Sequence, residues 1–180
     1  MTPTPADIVA FWLDAGPERW FAADPEFDAL TRAQFLDAHE DAARNNLPGW
    51  DASPEGALAL LLLTDQFPRN MFRGTPRAFA TDALAVRIAE RAVARAFDRA
   101  YRPPLRRFFY LPFMHAENVV LQKRCEALCA ASQDAEGLQF ATVHREIIER
   151  FGRFPHHNPI LGRAMTGEEQ AFLDDGGFSG

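Results

Sequence analysis

Lysine is almost missing from this sequence: 18 of its 19 basic residues are Arg, and Lys123 is the exception. Serine occurs only as Ser53, Ser132 and Ser179, each at a helix boundary or in the tail, so a serine nucleophile has no suitable setting. There is no His-Glu-x-x-His pair, no glycine-rich phosphate loop ahead of Lys and Ser or Thr, and no Gly-x-Ser-x-Gly elbow. Those gaps argue against a zinc hydrolase, a nucleotide kinase and an esterase. Cysteine is limited to Cys125 and Cys129, four apart in a helical pattern, where they share a face but are poorly aimed for a disulfide. They read as packed free thiols, and with no further Cys to complete a chelating set, no metal or other cofactor is expected. The longest apolar run, Ala57 to Leu63, is far short of the roughly 20 residues that cross a bilayer, so no membrane span is expected. The N-terminal stretch lacks the basic start and long apolar segment of a secretory signal, and a cytoplasmic location is the expectation.

What remains is a globular composition, 47% apolar and 24% charged over 180 residues, enough for one hydrophobic core and one domain over residues 1–180. The net charge of -6 conceals a strong asymmetry. Residues 1–65 hold 12 acids against 3 bases, residues 66–163 hold 9 acids against 16 bases, and the tail from 164 holds 4 acids and no base. Arg suits bidentate grip of a carboxylate or phosphate, although Arg and Ala richness also follows from codon usage alone. The near-absence of Lys and the acidic total argue against a nucleic-acid partner.

No stretch alternates apolar and polar residues long enough for a sheet, and proline, glycine and capping residues divide the chain into about seven helical segments. Thr4-Pro5-Ala6-Asp7 opens the first, to about residue 14, and Asp24-Pro25-Glu26 opens a long second that lasts until Asn46. Ser53-Pro54-Glu55 opens a third, apolar almost all round and therefore central, with Pro68 expected to stop it. A fourth spans about 81–99 with Arg87, Arg91 and Arg95 on a solvated face. Pro112 restarts the chain as a fifth helix to about Ala131, a sixth runs from about Glu136 to Phe151, and Thr166-Gly167-Glu168-Glu169 is a capping box for a short seventh. The fold class expected is all-α, an antiparallel array of consecutive helix pairs. No internal repeat of about 34 residues is visible.

Three segments place polar residues where a helical core does not require them. Arg69, Asn70 and Arg73 follow the buried third helix, where basic residues and Asn can equally serve as helix-end caps. His115 shares a face with Asn118 and Gln122 if the fifth helix is regular, whereas Glu117 points about 200° away and is explained by the helix dipole. A core histidine with one hydrogen-bond partner is the other reading of His115. In the third segment His144 lies on the inward stripe with Phe140, Ile147, Ile148 and Phe151, and Arg150, Arg153, His156, His157, Asn158 and Arg163 crowd a loop stiffened by proline. Such loops hold ligands or make well-satisfied turns.

The segments 65–83, 112–117 and 144–169 together resemble an uncharacterised, largely bacterial family known as domain of unknown function 924. Arg150-Phe151-Gly152-Arg153-Phe154-Pro155-His156 is the most specific match. The resemblance implies a helical fold like that of tetratricopeptide repeats and carries no established activity. The sequence departs from the family pattern at Ala116 and Met165, where Ser is usual, at His157, where Arg is usual, and at Gly167, where Pro is usual.

Two functions from different classes follow. One is a pocket for a small anion, a carboxylate or phosphate, lined by Arg69, Asn70, Arg73, His115, His144, Arg150, Arg153, His156 and Asn158, in which Arg would hold charge and inward His would donate a proton. The other is a tetratricopeptide-like scaffold for a protein partner, without catalysis, in which the same motifs lock helices together.

Overall fold

The computed structural model describes residues 3–179 and is all-helical, with no strand among the described residues. Helices α1 (Pro5–Ala15), α3 (Pro25–Ala43), α4 (Pro54–Leu61) and α10 (Gly167–Asp174) begin where capping chemistry predicts: Thr4, Asp24, Ser53 and Thr166 each accept a first-turn amide. A short turn, α2 (Pro17–Trp20), follows α1.

The third segment departs from expectation at Pro68. The helix does not stop there. After α4 the chain makes a π-helical turn, Leu62–Gln66, and continues as α5 (Phe67–Met71), with Pro68 in the first turn of α5. The wider turn follows from hydrogen-bond accounting. The Phe67 amide donates to Leu62 instead of Leu63, and Pro68 has no amide to give Thr64. Two buried carbonyls are thereby freed, and each finds a side chain. His39 Nδ1 lies 2.8 Å from the Leu63 oxygen, and Thr81 Oγ1 donates to the Thr64 oxygen at 2.6 Å. The π turn costs no buried hydrogen bond and rotates Asp65 and Gln66 out of α-helical register.

The fifth segment also divides, into α7 (Leu111–His115) and α8 (Val119–Ala131). Asn118 caps α8 through Val120 and Leu121, while Gln122 Nε2 ties off the Met114 and Ala116 carbonyls. His115 therefore stands at a helix end, and the shared face with Asn118 and Gln122 expected of a regular helix does not exist.

Helices α6 (Asp82–Ala94) and α9 (Ala135–Phe151) complete the set. The packing is not a run of consecutive pairs: α1 and α6 both pack on α4, and α3 packs on α5, so the α4–α5 rod is the axis of the molecule. The neighbouring helices α8 and α9, joined by residues 132–134, do pack as a pair. The main core gathers Trp12, Phe67, Phe108, Phe109 and Tyr110 around this rod, and a second, smaller cluster of Ile147, Ile148 and Phe154 packs with Phe151, Phe172 and Phe178. No described helix is long and apolar enough to cross a membrane.

Candidate functional site

Between the two hydrophobic clusters lies a cavity of about 740 Å³. Trp20, Phe21, Leu111 and Met114 line it from the main-core side, and Phe140, Phe154 and Phe178 from the other. Its polar surface comes from Gln66, Arg69, His115, His144, His156 and His157, with Arg107 and Glu136 also at its wall.

The π turn supplies the anchor. Asp65 is 1% exposed, and its Oδ1 accepts from His115 Nδ1 at 2.8 Å, while Gln66 Nε2 donates to Oδ2. Arg69 reaches the same Oδ1 at 3.3 Å, donates to the Asp65 carbonyl at 2.7 Å and forks onto Asp82 at 2.9 and 3.0 Å. Burial works to raise the Asp65 carboxyl, but the charges of His115 and Arg69 and the hydrogen bonds from His115 and Gln66 outweigh it and hold the group at about 2. An ionised carboxylate only accepts, so His115 Nδ1 carries a hydrogen, and in the neutral ring Nε2 holds the lone pair.

The other imidazoles are set differently. His144 Nδ1 lies 2.8 Å from the Phe140 carbonyl, which also only accepts, so its Nε2 is the unprotonated nitrogen. Burial, reinforced by positive charge from His115, His156 and Arg69, pushes His144 down to about 4. Burial and the charges of His156, Arg69, His115 and Arg163 take His157 down to about 2. Burial also lowers His156, whose Nδ1 is buried without a hydrogen-bond partner. The rings pack on aromatics: His144 lies 4.6 Å from Phe178 and His157 4.4 Å from Phe79. Among the described residues no three His, Cys, Asp or Glu side chains are placed to hold a metal ion.

Of the nine residues named from sequence, Arg69, Asn70, Arg73, His115, His144 and His156 border this cavity. Three do not. Arg150 is exposed and lies over the Phe151 ring at 4.6 Å. Arg153 forks onto buried Glu169 at 2.6 and 2.8 Å and fastens α10 to the loop after α9. Asn158 is fully buried, with Nδ2 3.4 Å from the Met165 sulfur. Three of the six that converge are also less free than expected, Arg69 through its contacts with Asp65 and Asp82. Arg73 forks onto Asp28 at 2.7 and 3.0 Å, and Asn70 donates to the same carboxylate at 2.8 Å. Glu117, assigned above to the helix dipole, instead clasps Arg163 at 2.7 and 2.8 Å and accepts from the Phe154 amide at 2.9 Å.

The family model described as "Bacterial protein of unknown function (DUF924)" matches residues 8–177. The chain belongs to that family. It is also similar to a solved structure, a protein of unknown function, ATU0120, from Agrobacterium tumefaciens, at 50% identity and a TM-score of 0.92, covering 95% of this chain and 97% of that one. No curated protein matches it.

Several residues that shape this cavity were not singled out from sequence. Asp65 lay inside a named segment, yet only the π turn reveals its orientation toward His115. Gln66 is set by the same turn. Arg107 and Phe178, some 70 residues apart, have no local signal at all.

Proposed function

We propose that this chain binds a small organic acid, a molecule with an apolar or aromatic body and one carboxylate or phosphate, inside this cavity. The supporting observation is the make-up of its wall: aromatic rings on both sides and, packed among them against Phe154 or Phe178, the imidazoles of His144, His156 and His157, with Arg69 among their mainly cationic neighbours. Guanidinium forks play a smaller part than composition suggests, because Arg69 and Arg73 are already engaged by Asp82, Asp65 and Asp28. The anchor is instead the imidazole cluster. Burial, reinforced by cationic neighbours, keeps these rings neutral; an anion there would offset both, and protonation of one imidazole would complete a charge-assisted hydrogen bond. A body stacked between Phe140, Phe154 and Phe178 would supply apolar burial. The ligand and the reaction surroundings are taken to be cytoplasmic, in keeping with two cysteines that stay unpaired.

A thermal-shift series tests the reading: phenylacetate, indole-3-acetate and phenyl phosphate against the neutral amides and alcohols of the same shape. The acids stabilise the wild type and not His144→Ala, while Arg150→Ala, away from the cavity, responds like the wild type. Equal responses to acids and neutral isosteres would overturn the reading. A tetratricopeptide-like interaction scaffold is the second reading, favoured by the α8–α9 pair; it requires a partner protein that binds equally well when the cavity is filled.

A further inference from the structure

The Asp65–His115 pair does more than a binding anchor requires. A ligand-binding histidine needs one free nitrogen, but this one has its far nitrogen fixed by a 1% exposed carboxylate, which is itself held by Gln66 and Arg69. That arrangement fixes the tautomer and ring plane of the imidazole. His115 remains 18% exposed and borders the cavity, so Nε2 is the part of the ring left to meet a guest. His144, by contrast, is backed by a neutral carbonyl and resists protonation. Two imidazoles in one cavity with opposite backing are how proton-transfer sites separate their roles.

We propose that His115, positioned by Asp65, is a catalytic base that takes a carbon-bound proton from the organic acid held in this cavity. The inference rests on the binding reading above. The His115 Nε2 lone pair forms the new N–H bond. The electron pair of the broken C–H bond enters the adjacent carbonyl as an enolate, whose charge is balanced by the imidazolium formed on His115 and, more weakly, by Arg69, whose guanidinium stays paired with Asp82 and Asp65. The proton then returns from Nε2 to the same or a neighbouring carbon. No second reactant is consumed, so the reaction class is racemisation or double-bond isomerisation of a carbonyl compound. Asp65 touches no substrate atom and is a positioning residue.

The probe is 5-nitrobenzisoxazole, a flat aromatic carbon acid whose proton abstraction breaks its N–O bond and releases a coloured cyanophenolate, with no nucleophile or water required. Wild-type protein is expected to turn it over about 100-fold faster than the same concentration of free imidazole. His115→Gln, at the cavity surface, should lose at least about tenfold in kcat. Asp65→Asn should lower kcat with little change in KM, a split that a loosened fold would not produce. Because Asp65 is buried and its variant can fail to fold, His115→Gln, checked by its thermal melt, carries the test alone if needed. Arg150→Ala serves as the unchanged control. Turnover no faster than free imidazole, or turnover surviving in His115→Gln, overturns the inference. If indole-3-acetate still binds in that case, the binding reading stands. Turnover without any binding of indole-3-acetate overturns the binding reading instead.

Discussion

Removing the Arg107 guanidinium should be the most damaging polar truncation outside the π turn. Arg107 and Asp134 are each 5% exposed, and the guanidinium forks onto the carboxylate at 2.7 and 2.6 Å. Its third contact, to Glu136 at 2.9 Å, ends on a side chain 67% exposed and contributes little. Asp134 also caps α9 by accepting the Gly137 amide at 3.0 Å, so the pair joins the turn at 105–109 to the start of α9. Arg107→Ala leaves a buried carboxylate without its counter-charge, which costs about 3–5 kcal/mol. With a urea slope of about 2 kcal/mol per molar, the unfolding midpoint falls by roughly 2 M. The apparent melting temperature of a chain this size falls by about 10 °C. Urea denaturation followed by circular dichroism reads both midpoint and slope. Asp134→Ala completes a double-mutant cycle, and the double variant should cost clearly less than the two single changes together. A loss below about 1 kcal/mol for Arg107→Ala would refute the claim that Asp134 depends on this buried pairing.

Other expectations follow from the same physics. His144 sits at about 4, below its usual 6.5. The unfolded chain therefore takes up a proton that the folded chain refuses, and stability falls between about pH 6.5 and 4, by about 3 kcal/mol for this residue. His144→Phe should flatten that limb in pH-dependent melts, and an unchanged limb would contradict the assignment. Asp65, held at about 2, adds its loss only below pH 4. Gly56→Ala would drive a Cβ into the Trp50 carbonyl, a backbone atom that cannot yield without moving the turn before α4, so a destabilisation of about 2 kcal/mol is expected in denaturant titration. Cys125 and Cys129 are fully buried, and the hydrogen bond with Cys129, together with burial, raises the Cys125 thiol. Neither should react with a thiol reagent until the protein is unfolded; rapid labelling of the native chain would contradict this.

The helical architecture was legible because proline, glycine and capping residues are local signals, and α1, α3, α4 and α10 begin at the predicted caps. Pro68 misled because a lone proline reads as a stop, whereas here His39 and Thr81, from other helices, take up the carbonyls it strands. The break at 116–118 was hidden for the same reason: Asn118 and Gln122 read as one helical face but act as a cap and a tie. The charge asymmetry was visible, but its meaning was misassigned. The acid-rich first 65 residues neutralise the Arg-rich middle within the chain, as Asp28 does for Arg73, Asp65 for Arg69 and Glu40 for Arg77. Pairings across such distances in sequence leave no local trace, so excess guanidinium looked free when it was not. The imidazoles were more legible, since His115 and His144 already lacked a local explanation and both reach the cavity.

The central claim, that the imidazoles of this cavity receive an acid, is tested most directly by titration calorimetry with indole-3-acetate at pH 7 in two buffers of different ionisation enthalpy. Saturable one-to-one binding, with heats that differ between buffers because a proton enters the protein, is the predicted result. Buffer-independent heats, matched by the neutral indole-3-acetamide, would contradict it.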